Sequence, residues 1–247
     1  MQVIYIMWLR QLKRYWRSKS RMLGSLGQPL LFLFALGFGF GSVFQKVGQG
    51  NYFDFLAPGI IAMSILFNAM FNGIEVIWDR QFGFLKETLV APVSRFKIMA
   101  GRTLGGATVA FIQGIIVFII AVAFGFKIQP AAIPLALLFM FLIAILFTAI
   151  GIAIASKMDD MHAFPLIMNF ILMPLFFLSG ALFPLDNLPK VMDFIVKINP
   201  LSYGIDGVRG ALTGTSHIGL LYDLIVLFTL IVIAGIVGSW LFSKVEA

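Results

Sequence analysis

Apolar residues along this chain neither alternate nor keep to one helical stripe; they fill whole windows, separated by short polar intervals. An α-helix rises 1.5 Å per residue, so about 20 largely apolar residues are needed to cross the hydrocarbon of a bilayer. Six windows qualify, near 22–44, 55–78, 101–126, 131–155, 164–184 and 218–242. Between them lie a short loop at 46–54, a polar stretch at 79–102, a tight turn at 127–130, a polar loop at 156–162 and a longer, less polar segment at 185–217. The pattern predicts an all-α integral membrane fold with six transmembrane helices over 22–247.

Two other stretches have helical period but cannot span. In residues 1–21, Arg10, Lys13, Arg14, Arg17 and Arg21 fall on one helical face, and Ile4, Trp8, Leu12, Tyr15 and Trp16 on the other. That split predicts an amphipathic helix in the headgroup plane, aromatic side down and cations on anionic lipid. In the 185–217 segment, Leu188, Val191, Met192 and Ile195 have helical spacing, with Lys190, Asp193 and Lys197 opposite. Asn199-Pro200 ends that run, because a proline ring disfavours helix in the residue before it. Leu201, Ile205, Val208 and Leu212 resume the spacing, with Asp206 and Arg209 on the polar side. Two short outer helices are expected at 187–198 and 201–213, lying on the membrane or dipping into it.

Charge placement orients the bundle. With six spans, one side carries Arg10, Lys13, Arg14, Arg17, Lys19, Arg21, Arg80, Lys86, Arg95, Lys97, Arg102, Lys157 and Lys244; the other carries only Lys46, Lys127, Lys190, Lys197 and Arg209. Basic loops favour the cytoplasm, so both termini are expected there, in the cytoplasmic membrane of a prokaryote. The N-terminus is expected to be retained, since its apolar run is too long for a signal peptide and no cleavage site follows. A net charge of +7 would suggest nucleic acid in a soluble protein; here it is a topology signal, and no nucleic acid is expected. Only 12% of residues are charged, about half the usual share of a soluble domain, and the mean hydropathy is +1.00. The 27 phenylalanines are read mostly as lipid-facing bulk.

Motifs of catalysis are mostly missing. No lysine follows a glycine, so the phosphate-binding loop is absent; the two histidines, His162 and His217, lie far apart, and no G-x-S-x-G turn occurs. With no cysteine, thiolate metal sites and disulfides are excluded. Asp159, Asp160 and His162 lie close enough in sequence to touch a metal, but a solvated loop is the plainer reading. Polar residues within spans are few. Ser64, Asn68, Asn72, Glu75 and Asp79 recur along one face of the second span. They either line a polar path or hydrogen-bond neighbouring helices as packing. Gln113 and Asn169 are possible partners on that path. Gly101 and Gly105 have the spacing of a close helix crossing.

The stretch Trp78-Asp79-Arg80-Gln81-Phe82-Gly83 onward to Leu89, Pro92-Val93-Ser94-Arg95 is similar to the coupling-helix pattern of type 2 ABC exporters. So are Phe177-Leu178-Ser179-Gly180, Phe183-Pro184, Leu188-Pro189 and Asn199-Pro200-Leu201-Ser202-Tyr203 to that family's signature before its last span. With the topology, nearly the whole chain resembles the permease subunit of that family. The resemblance implies two permease copies, identical or sister subunits, on a separate ATPase that binds ATP and magnesium, with no cofactor in this chain. It implies ATPase coupling through Asp79, Arg80, Gly83, Glu87, Pro92 and Arg95, and a translocation path at Asn68, Asn72, Glu75 and Asn169. The expected cargo is an amphipathic drug or lipid moved outward, with lipid-linked polysaccharide as the alternative. An ion-coupled transporter, or a membrane enzyme using Glu75 or Asp223 beside Tyr222, is the alternative of another class.

Overall fold

The computed structural model describes residues 2–41, 51–85, 93–185 and 189–244. Among these the chain is helical throughout, without strands. The helices are α1 (Gln2–Arg17), α2 (Lys19–Gly39), α3 (Tyr52–Phe71), α4 (Ile74–Gln81), α5 (Arg95–Ala123), α6 (Ile133–Ala155), α7 (Ala163–Phe177), α8 (Lys190–Ile198), α9 (Pro200–Thr213) and α10 (Leu220–Ser243). One 3₁₀ turn, Pro130–Ala132, leads into α6. Among the described residues five rods are long and apolar enough to cross a membrane: α2, α3 with α4, α5, Pro130 through Ala155, and α10. The predicted fifth span is helical for only 15 residues as α7, about 22 Å. This is an all-helical integral membrane protein.

The core lies where α3, α5, α6 and α9 meet, filled by Leu56, Ile60, Ile61, Phe139, Ile143, Phe147 and Val208, all at 0–1% exposure. The periphery is apolar too. Leu221, Ile225, Phe228, Val232 and Ile236 stand exposed on one face of α10, the face that lipid must solvate.

Four features depart in detail from the sequence reading. First, the second span is broken at Asn72–Gly73 into α3 and α4. A side chain at Gly73 would strike the backbone of Gly151, and one at Gly151 the carbonyl of Met70, so two glycines let α6 touch the break. Second, α5 starts at Arg95 rather than 101; the carbonyl of Ser94 accepts from the amides of Lys97 and Ile98 and launches the helix in polar surroundings.

Third, α1 does not stand alone on a headgroup layer. Ile4, Met7, Trp8 and Gln11 lie over Gly101 and Gly105 of α5, where an added Cβ would sit 2.7 Å from Met7 and from Gln11. The indole of Trp8 donates to Thr108 Oγ1 at 3.0 Å. The G-x-x-x-G spacing therefore serves a crossing within the chain, while Tyr5 and Trp16 stay exposed.

Fourth, α9 has the predicted bounds but is not a surface helix: Leu201 through Leu212 are all buried. Gly204 and Gly207 face Ile143 and Phe139 of α6 so closely that a Cβ at either would overlap them. Asn199 caps α9, accepting from the amide of Leu201 at 3.0 Å.

Candidate functional site

The polar stripe of the second span gathers Glu75, Asp79 and Arg102, half of the buried charged residues among those described. Asp79, 3% exposed, accepts two hydrogen bonds from Arg10 of α1, at 2.8 and 3.0 Å, and one from Arg102 of α5 at 2.6 Å. Arg102 is 1% exposed. Glu75, equally buried, accepts from Arg21 at 2.8 Å and lies 3.6 Å from Arg14. Arg14 also lies over the Trp78 ring. Asn72 accepts from Arg21 at 3.3 Å and donates to the carbonyl of Gly106 at 3.1 Å. The stripe thus locks α1 and α2 to α4 and α5. Charge-assisted bonds of this kind are about twice as strong as neutral ones, and the Asp79 carboxylate makes the buried Arg102 tolerable.

The predicted path residues are only partly assembled. Asn68 donates back to the carbonyl of Ser64 and lines a cavity of about 200 Å³ with Arg21, Gln28, Met63 and Phe67. Asn169 lies on the exposed side of α7 beside Phe170 and is not joined to the stripe within one chain. Gln113 also lies elsewhere. It accepts a hydrogen bond from the Tyr15 hydroxyl and donates to Ser25 Oγ and the Met22 carbonyl, clamping the junction of α1 and α2. Burial pushes the Tyr15 phenol above its ordinary range, partly opposed by Arg21.

Of the residues expected to couple to an ATPase, Asp79, Arg80, Gly83 and Arg95 lie within the described residues. Arg80 donates to the carbonyls of Ser156, at 2.9 Å, and Met158, and pairs with Asp159. Gln81 reaches the Asp159 carbonyl. Gly83 has φ +80°, a left-handed turn that glycine adopts without strain. Glu87 and Pro92 lie outside the described residues. Arg95 donates to the Ser243 carbonyl at the end of α10 at 2.8 Å. Asp79 itself faces inward rather than toward a partner. Asp160 accepts from the amide of His162, and no three acidic or histidine side chains converge on a metal position among the described residues.

The opposite end of the bundle, the one expected to be outer, holds residues that the sequence reading placed in a signature without assigning them contacts. After α7 the chain runs irregularly through Ser179–Leu182, all buried. Side chains from afar meet carbonyls in the last turn of α7 and in this stretch: Asn199 donates to Leu175, Arg209 to Gly180 at 2.9 Å, and Tyr52 to Leu182. Arg209 stacks on Phe55, its centre 4.1 Å from the ring centroid. Asp206 accepts from the amides of His217 and Ile218 and from Ser216, building the turn into α10. Non-helical backbone at membrane depth is tolerated when protein satisfies it. Asp223 is buried in the first turn of α10, while Tyr222 beside it is exposed.

Comparison with known proteins agrees with this architecture. The family model described as ABC-2 type transporter matches residues 2–213. The chain is 31% identical to the transport permease ycf38 of Cyanophora paradoxa over 217 residues, covering 84% of this chain and 73% of that one. It is 30% identical to Nodulation protein J of Rhizobium leguminosarum bv. trifolii over 231 residues, covering 90% and 86%. Such permeases in general work as a dimeric arrangement with an ABC ATPase. The chain belongs to the ABC-2 type transporter family and is a transmembrane permease subunit of an ABC transporter.

Proposed function

We propose that this permease exports an amphipathic drug or lipid across the cytoplasmic membrane of a prokaryote, both termini inside, driven by a separate ATPase that binds ATP and magnesium. The observation that carries the coupling is the division of labour at Asp79-Arg80. Asp79 holds α1 and α5, while Arg80 holds the 156–159 loop between α6 and α7. Force applied to the following segment, with Glu87 and Pro92 in it and Arg95 at its far end, where it begins α5 and bonds the end of α10, reaches α1, α5, α6, α7 and α10 at once. Closure of the ATPase pair moves this segment and reshapes the Asn68–Asn72–Glu75 side of the bundle in a dimer of identical or sister subunits. An amphipathic cargo is supported by the Asn68 cavity, which mixes Arg21 and Gln28 with Met63 and Phe67.

The test is purification of the tagged chain from its native membrane, followed by identification of what accompanies it. A co-purifying ATPase whose hydrolysis depends on this chain is the expected result, and Glu87→Ala is expected to weaken that association while leaving the bundle folded. A chain that arrives alone from mild detergent removes the energy source and overturns the reading.

A further inference from the structure

The basic residues of α1 and of the start of α2, continuous in sequence, are split in three dimensions. Arg10, Arg14 and Arg21 turn inward to the carboxylates of Asp79 and Glu75. Lys13, Arg17 and Lys19 are exposed and have no acidic partner among the described residues. These three line an open cleft of about 1040 Å³ between the α1–α2 junction and the end of α4. Its lips are apolar: Ile6 is 59% exposed on one side and Phe82 69% on the other. Asp79 is the one carboxylate in the lining, and Arg10 and Arg102 already occupy it.

From this we infer that the cleft binds the phosphate headgroup of an anionic bilayer phospholipid. The cations meet the phosphate, and the Ile6 and Phe82 lips meet the start of the acyl tails. Unpaired cations beside exposed apolar side chains suit a lipid rather than a free ion, since a free phosphate has no use for the apolar lips. Trp16, exposed on the same helix, suits headgroup depth. The inference goes beyond the transport reading and holds whichever substrate is moved.

The experiment uses the full chain, delipidated in a neutral detergent and titrated with dioleoyl phosphatidylglycerol or dioleoyl phosphatidylcholine, with bound lipid counted by native mass spectrometry. Phosphatidylglycerol is expected to bind at least tenfold tighter. The triple variant Lys13→Gln/Arg17→Gln/Lys19→Gln is expected to lose affinity for it by on the order of a hundredfold, taking each cation near the surface at its usual weight. Charge-preserving Lys13→Arg/Arg17→Lys should retain binding, and Lys97→Gln/Lys157→Gln, elsewhere on the exposed surface, should leave it unchanged. Equal binding of the two lipids overturns the inference. So does a phosphatidylglycerol preference that survives the triple variant in protein of unchanged melting temperature. Millimolar inorganic phosphate that displaces the lipid completely would reassign the cleft to free anions and overturn it as well.

Discussion

At the scale of single residues, Asp79 does the most. It is the only carboxylate hydrogen-bonded to Arg102 among the described residues, and that guanidinium has nowhere to reach water at 1% exposure. Asp79→Ala is therefore expected to destabilise the protein by about 3–5 kcal/mol, the usual cost of leaving a buried charge unpaired. Arg10→Gln removes a side chain one-third exposed and should cost less than about 1 kcal/mol. Thermal unfolding in detergent compares the two, and equal losses would mean that Arg102 finds another partner. Asn72 tests the path. Asn72→Leu deletes the bonds to Gly106 and Arg21, so transport should fall while assembly with the ATPase persists. Full transport would reduce the stripe to packing.

At the scale of elements, helix positions were largely legible because long apolar windows permit few alternatives, and Asn199-Pro200 marks a helix boundary by local chemistry alone. The break between α8, ending at Ile198, and α9, starting at Pro200, could be read for that reason. What could not be read was which neighbour each face meets. The cations of α1 satisfy the rule for a lipid-facing helix and the rule for ion pairing equally well, and only the distant Glu75 and Asp79 decide between them. Asp206 and Arg209 looked like a solvated face because most of their partners, the amides of His217 and Ile218 and the Gly180 carbonyl, are backbone groups with no sequence signature. A usable signal was present in Gly204 and Gly207, which make one side of α9 flat enough for α6, and in Gly210, which makes room for Ser216 and Leu220. The docking of α1 on α5 is likewise testable. Gly105→Leu places a side chain where Gln11 and Trp8 lie and should speed tryptic cleavage at Lys13 and Arg17 several-fold, with α2 to α10 remaining protected. Unchanged cleavage would show that α1 is held by its ion pairs alone.

At the scale of the whole molecule, the chain divides into the end expected to be inner, organised by ion pairs, and the end expected to be outer, organised by backbone capping, joined by the apolar core of α3, α5 and α6. Arg80 links the inner end to the 156–159 loop. Arg80→Gln is expected to preserve ATP hydrolysis by the assembled complex while lowering transport per ATP; parallel losses of both would make Arg80 a docking residue instead. The outer end has a consequence for biosynthesis. The carbonyl of Leu175 waits for Asn199, and that of Gly180 for Arg209, residues that the ribosome adds 24 and 29 positions later. Until they emerge, the end of α7 has unsatisfied polar backbone that hydrocarbon cannot accept. A nascent chain halted before Arg209 therefore holds α7 unfinished at the mouth of the insertion machinery, and the membrane's quality-control proteases have their opening there.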